Sequence, residues 1–311
     1  MPLPIVGANV KENNPSSLRT HRRFDRAARL FTEPGLHRLM QSRVMIFGMG
    51  GVGSFAAEAL ARSGIGHLFL VDFDEVCVTN TNRQLHALKN TIGKPKAEIM
   101  AERLRLISPT AQIEPICEFY EAARADRFLG MPLDFVVDAI DSISSKAHLL
   151  SECVRRGVPV VSSMGAAGRL DPTRIRIADL SDTEGCALAR DLRKILRKKY
   201  GLRIERGARS GIWAIYSDEP VMPPAPLSYD SEKGFVCVCP NKENGKYTCD
   251  HRARIDGSAA FVTGAFGLAA ASVVVRELIA QQRLAHLSSL GVTSDPARLP
   301  QPSPSSLECC D

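Results

Sequence analysis

Gly48, Gly50 and Gly53 stand in G-x-G-x-x-G spacing within the string "GMGGVG". Glycines at these positions permit a tight turn and let a phosphate come close to the backbone. A helix opening at the third glycine adds an N-terminus that favours the bound anion. Asp72 follows 19 residues after Gly53. At the end of the next strand, a carboxylate in that place can accept both hydroxyls of a ribose. The set therefore binds a nucleotide, and the residues beyond it bear on which one. Asp74, Asn80, Asn82, Arg83 and Gln84 come next, then Lys94 and Lys96 in "GKPKAEIM". A dinucleotide redox cofactor does not need Arg83 and Lys96 beside its phosphates. A triphosphate does, because cations must balance its charge and that of the departing pyrophosphate. Taken singly, either cation could be a solvated surface charge.

These residues need a strand before the glycine loop, a helix after it, and a second strand ending at Asp72. The pattern supplies all three. "RVMIFG", 43–48, is an apolar run of buried-strand type, 53–64 is helical, and "HLFLVD", 67–72, is a second strand. Short helices at 22–29 and 35–41 precede them. Helix and strand then alternate: a helix at 94–107, strands at 112–117 and 134–140, a helix at 144–156 and a strand at 158–163. This alternation predicts an α/β fold of Rossmann-like type, a mostly parallel sheet with helices on both faces. After Pro172 the pattern changes. "TRIRIADL", 173–180, alternates polar and apolar like a half-exposed antiparallel strand, and "IWAIYS", 212–217, has strand composition. Antiparallel strands should thus extend the sheet on its C-terminal side, with a basic helix at 184–200 between them. A Pro-, Gly- and Cys-containing loop, 218–256, leads to a helix over 257–281. The expected domain plan is a flexible stretch 1–20, one adenylating domain 21–283 whose nucleotide-binding half covers about 43–165, and a Pro/Ser-rich disordered tail 284–311.

A chain of 311 residues, 44% hydrophobic, can build a substantial core. Its net charge of +6 permits a polyanionic partner without demanding one. The nine cysteines are odd in number and irregular in spacing. That reads as a reducing compartment and not a disulfide framework. No apolar leader segment opens the sequence, and residues 1–20 make a poor organelle presequence, so the expected location is cytoplasmic. The uncharged stretch 257–275 has the length of a membrane span. It is rich in Gly, Ala, Ser and Thr, which contribute little to insertion, so a buried helix or subunit interface is the preferred reading over membrane association.

The motif order "GMGGVG", "DFDEVCVTNTNRQ", "GKPK" and "DAIDS" resembles the ubiquitin-activating-enzyme-like adenylating superfamily, the ThiF and MoeB type. The likeness extends over roughly residues 23–180 and continues more weakly to "GAFGLAAASVV". It implies ATP and Mg2+ as cofactors and adenylation of a carboxylate. Gly48, Gly50, Gly51 and Gly53 would hold the triphosphate. Asp72, with Asp74 beside it, would hold the ribose. Asn80, Arg83 and Lys96 would contact the phosphates. Asp141 would position magnesium and ATP. Catalysis would rest on Arg83, Lys96 and Asp141. The resemblance also implies a homodimer, in which Arg83 can serve the partner's site.

Within the superfamily two branches compete. One activates the C-terminus of a sulfur carrier or ubiquitin-like protein. The other cyclises N6-threonylcarbamoyladenosine in tRNA through an acyl-adenylate. The carrier activators usually have Asn after the Asp141 position and Arg four residues later, where this chain has Ser142 and Lys146. They usually carry two C-x-x-C zinc pairs as well, and this chain has none. Cys237 and Cys239 are a poor zinc pair, because alternate residues of an extended segment point opposite ways. Cys249 and His251 follow them. Cys186 stands near the place of a thioester nucleophile but reads as a small buried residue. Both departures favour the tRNA branch. They also make the basic helix the expected RNA contact. Arg190, Arg193, Lys194, Arg197, Lys198, Lys199, Arg203, Arg206 and Arg209 are opposed in sequence by Asp191 and Glu205. So dense a charge reads as a phosphate-backbone footprint rather than a mixed solvated face. A sulfur-relay protein is a further partner the resemblance allows.

Overall fold

The structure is a computed structural model that describes residues 22–227 and 256–290. In chain order its elements are α1 (Asp25–Phe31), α2 (Glu33–Met40), β1 (Arg43–Phe47), α3 (Gly53–Arg62), β2 (His67–Val71), α4 (Lys96–Ile107) and β3 (Gln112–Ile116). Then come α5 (Ala125–Leu129), β4 (Phe135–Asp138), α6 (Ile143–Arg155), β5 (Val160–Ser163) and β6 (Ile175–Asp179). The last are α7 (Ala187–Tyr200), β7 (Ile212–Ser217), α8 (Ala260–Leu278) and α9 (Ala280–Ser289).

The seven strands form one sheet in the order β3-β2-β1-β4-β5-β7-β6. Every neighbouring pair is parallel except β6 with β7. The expected α/β architecture is thus present, with a single antiparallel pair at the far edge. Successive strand residues point to opposite faces. Val44 and Ile46 enter a core shared with α3, α4 and α8, whereas Met45 and Phe47 enter one shared with α6 and α7. Both faces are covered, as parallel strands require. The chain runs from β1 outward to β3, then returns to place β4 on the other side of β1. The ends of β1, β2 and β4 therefore meet at the point where the strand order reverses, the usual ligand crevice of such sheets.

The boundaries shift at several elements. The helix expected from residue 94 begins at Lys96, because Pro95 is its N-cap. The helix expected from 184 begins at Ala187. The expected disordered tail 284–311 is corrected only at its start, where α9 runs to Ser289 beside α2 and α8; residues 291–311, and residues 228–255 of the expected loop, lie outside the described residues. Residues 1–21, the cysteines at 237, 239, 249, 309 and 310, and His251 lie outside the described residues.

The apolar stretch forms α8. It is long and apolar enough to cross a membrane by length and composition, yet much of it is buried against α3 and the sheet. Its small residues are the reason. A Cβ on Gly267 would lie 2.3 Å from the Val52 carbonyl oxygen, and one on Gly264 would lie 3.0 Å from the Phe55 ring. The two helices approach too closely for larger side chains, which marks α8 as a core helix. Phe261 and Leu268 remain exposed on its outer side.

Candidate nucleotide site

The glycine loop joins β1 to α3 and is shaped by two contacts that exclude side chains. Gly48 has φ +89°, and a Cβ on it would stand 2.7 Å from the Ala139 carbonyl oxygen. A Cβ on Gly53 would stand 1.7 Å from the Gly48 carbonyl oxygen. Alanine at either position must move backbone. Gly48 N–H donates to the Val71 carbonyl and Ala139 N–H to that of Phe47, so β1, β2 and the residue after β4 are tied at the loop. No side chain caps the N-terminus of α3. The Ser54 N–H donates to the Gly50 carbonyl at 3.1 Å, and a helix start without a side-chain cap is the arrangement that suits an anion.

Asp72 follows β2 and is buried. Its Oδ2 accepts the Met49 N–H at 2.6 Å, and its Oδ1 accepts the Asp74 N–H at 2.8 Å. One carboxylate thus braces the glycine loop and the turn that follows. Burial pushes its pKa up, against the pull of Lys96. Lys96, in the first turn of α4, is also buried, and its Nζ meets Asp74 Oδ2 at 2.7 Å. Burial opposes its charge, but the carboxylates of Asp72, Asp74 and Asp141 outweigh that and raise its pKa. Lys96 is a permanent cation. Asp141 is exposed just beyond β4 and near enough to act on it.

Asn80 is buried and structural on one side: its Oδ1 accepts the Cys77 N–H at 3.0 Å. Arg83 reaches the loop differently. A Cβ on Gly51 would lie 3.2 Å from Arg83 Cγ and 2.9 Å from Thr263 Oγ1 of α8. The Arg83 Nη1 donates to the Thr79 carbonyl and to Asn82 Oδ1. Asn82 in turn donates to the Ser258 carbonyl at 2.9 Å, fastening this turn to the start of α8. The structure brings Gly48, Gly50, Gly51, Gly53, Asp72, Asp74, Asn80, Arg83, Lys96 and Asp141 around the reversal point of the sheet. Among the described residues no group of His, Cys, Asp or Glu is arranged to hold a metal on its own.

Sequence reasoning foresaw no contact for two groups here, Lys146 and His86. Lys146 is fully buried, and its Nζ donates to Asp138 Oδ2 at 2.6 Å, to Ser162 Oγ at 3.3 Å and to the Ser163 carbonyl at 3.0 Å. This network stitches the carboxyl ends of β4 and β5. Its signal was a lysine on the buried face of an amphipathic helix. His86 is also buried, and neither ring nitrogen has a hydrogen-bond partner among the described residues. Burial, then the charges of Lys96 and Arg103, push its pKa down to about 4. No sequence signal marks it.

The expected RNA footprint is partly corrected. Arg193 turns inward and donates to the Leu180 and Thr183 carbonyls and to Thr183 Oγ1. The charges are also less unopposed than they read, since Arg190 pairs with Asp191, Arg203 with Glu205 and Arg206 with Glu184. Glu184 belongs to the loop before α7, and it meets Arg206 through tertiary structure. Lys194, Arg197 and Lys198 stay exposed along α7. Cys186 is buried at the N-cap of α7 as a free thiol.

Comparison with known proteins places this geometry in company. The profile of the ThiF family matches residues 24–306. The chain is 38% identical over 259 residues to tRNA threonylcarbamoyladenosine dehydratase of Escherichia coli K12, covering 83% of this chain and 94% of that protein. It is 45% identical over 196 residues to the enzyme of the same name from Bacillus subtilis, covering 63% of this chain and 74% of that protein. The crystal structure of E. coli tRNA N6-threonylcarbamoyladenosine dehydratase in complex with ATP superposes with a TM-score of 0.73 at 35% identity, covering 85% of this chain and 96% of that one.

Proposed function

The chain belongs to the ThiF family, and from that premise we propose that it is an ATP-dependent enzyme that cyclises N6-threonylcarbamoyladenosine in tRNA. The observation that carries the reading is the cradle itself. A glycine-rich turn, a helix N-terminus without a side-chain cap and Lys96, whose pKa its neighbouring carboxylates raise, converge where the strand order reverses. That is a site built for phosphate.

The threonyl carboxylate attacks the α-phosphate of ATP and pyrophosphate departs. A carbamoyl nitrogen then attacks the acyl-adenylate, AMP leaves and a ring closes, with net loss of one water. The enzyme's share is orientation and charge stabilisation, so no nucleophilic side chain is needed. Lys96 and Arg83 act on the phosphates and Asn80 lines their turn. To do so, Lys96 exchanges its contact with Asp74 for a phosphate oxygen. Asp72 positions the ribose with the oxygen lone pairs that Met49 and Asp74 leave free. Asp141 offers the one exposed carboxylate that Mg2+ needs beside phosphates, and such an ion supplies charge neutralisation there.

In this reading Arg83, on the exposed side of the loop, serves the site of a second copy in a homodimer. Lys194, Arg197 and Lys198, with Arg190, form the surface that meets the tRNA backbone. The test is mass spectrometry of nucleosides from tRNA incubated with enzyme and ATP. Wild type should yield the cyclic nucleoside, and Asp141→Ala, though folded, should yield none. Absence of the cyclic product with wild type would overturn the reading, and wild-type turnover by Asp141→Ala would remove that residue from the site.

A further inference from the structure

Arg169 lies in the loop after β5 and is 4% exposed. Its guanidinium meets only carbonyl dipoles among the described residues. Nη1 donates to the Gly165 carbonyl and, at 3.3 Å, to that of Ala167, while Nη2 reaches the Ser217 carbonyl at 3.5 Å. Its Nε is buried with no acceptor. The carboxylates nearby in the fold are engaged elsewhere. Asp218 pairs with Arg174 at 2.7 Å and Arg176 at 3.4 Å, and Glu219 accepts the N–H groups of Leu170 and Asp171. A buried cation without a counter-charge is costly, and a fold usually supplies a carboxylate to such an arginine. Among the described residues no carboxylate takes that place.

The location of Arg169 says what would. The loop stands at the carboxyl edge of the sheet, where ligands of such sheets bind. Gly168 N–H donates to the Gly257 carbonyl at 2.8 Å, and the next carbonyl, Ser258, is the one held by Asn82 beside Arg83. On its other side, a Cβ on Gly165 would lie 4.0 Å from Leu188 Cδ2, in the first turn of basic α7. Arg169 therefore sits between the nucleotide cradle and the exposed cations of α7. The Val221–Met222 segment packs on the preceding residue, Gly168, whose carbonyl accepts the Met222 N–H at 2.7 Å.

We infer that Arg169 binds an oxyanion of the RNA substrate. The oxyanion is a phosphodiester next to the modified nucleoside or the carboxylate of that nucleoside itself. The guanidinium fork would exchange weak carbonyl contacts for a charge-assisted, bidentate pair. This rests on the function proposed above, and the experiment separates the two.

Full-length wild type, Arg169→Gln and Arg169→Lys are compared for binding of one tRNA with and without the threonylcarbamoyl group, over a salt series, with ATP binding and conversion measured alongside. Arg169→Gln should weaken tRNA binding about 10- to 100-fold while ATP affinity stays within about twofold. Arg169→Lys should recover part of the loss, because it keeps the charge but not the fork. Equal weakening for both tRNAs, with a salt slope shallower by about 0.7 to 0.9, assigns a phosphodiester. Weakening confined to the modified tRNA assigns the carboxylate. Unchanged binding by Arg169→Gln, while wild type converts tRNA, overturns this inference alone. A wild type that neither binds nor converts tRNA overturns the proposed function and this inference with it. Collapse of the melting temperature in both variants shows a purely structural arginine and also overturns it.

Discussion

Acid should weaken this fold through His86, and the size of the effect follows from its surroundings. The imidazole is buried beside Lys96 and Arg103, and its pKa falls from 6.5 to about 4. The folded state therefore prefers the neutral ring, whereas the unfolded chain protonates near the ordinary value. The contribution is complete above pH 6.5 and is lost progressively as pH falls toward 4. Integrating that difference gives about 2 kcal/mol lost between pH 7 and pH 5. Asp72 works in the opposite sense: burial raises its carboxyl pKa, so acid favours its folded form. The Asp72 effect is common to wild type and to a variant at position 86, so it cancels in their difference. His86→Leu removes both orphaned ring nitrogens and keeps a side chain of similar bulk. At pH 7 it should be near neutral or slightly stabilising, since no hydrogen bond is lost. Urea denaturation of both proteins at pH 7 and pH 5 gives the comparison. Wild type should lose about 2 kcal/mol more than the variant over that interval. Parallel losses would show that His86 is not held neutral and would refute the reasoning.

Removing the ammonium of Lys146 by Lys146→Met should leave Asp138 buried without its cation and cost about 3 to 5 kcal/mol, read as a large fall in thermal midpoint. An unchanged midpoint would show that the buried pair does not hold β4 and β5 together. If Arg83 completes the partner's site, mixing inactive Arg83→Ala and Asp72→Ala subunits should restore about a quarter of the activity, as random pairing in a twofold dimer yields. No recovery, with heterodimers demonstrated, would place each site within one chain. Arg197→Gln with Lys198→Gln should flatten the salt dependence of tRNA binding by about 1.5 in slope and leave ATP binding alone. An unaltered slope would leave this part of α7 as a solvated face.

The glycine spacing, the β-branched runs of β1, β2 and β4, and the alternation of helix with strand determined the parallel sheet and the phosphate turn from sequence alone. These features depend on backbone sterics and on side-chain periods a few residues long, so they are written locally. Asp72 follows from its place at the end of β2, whereas the roles expected of Arg83, Lys96 and Asp141 came through the resemblance to the adenylating superfamily. Tertiary structure decided what each charge meets. Arg193 and Arg197 lie one helical turn apart in one basic run, yet Arg193 is spent on the loop around Thr183 while Arg197 faces solvent. Lys146 meets Asp138 of β4 and Ser162 of β5, His86 is buried near Lys96 and Arg103, and Arg169 meets only carbonyls among the described residues. The apolar α8 illustrates the same division. Its length suits a lipid span, its small residues favour a buried helix, and the close approach of α3 at Gly264 and Gly267 shows what those small residues pack against. The charge state and exposure of a side chain are set by the dielectric and the partners that packing brings, and packing is a property of the whole chain.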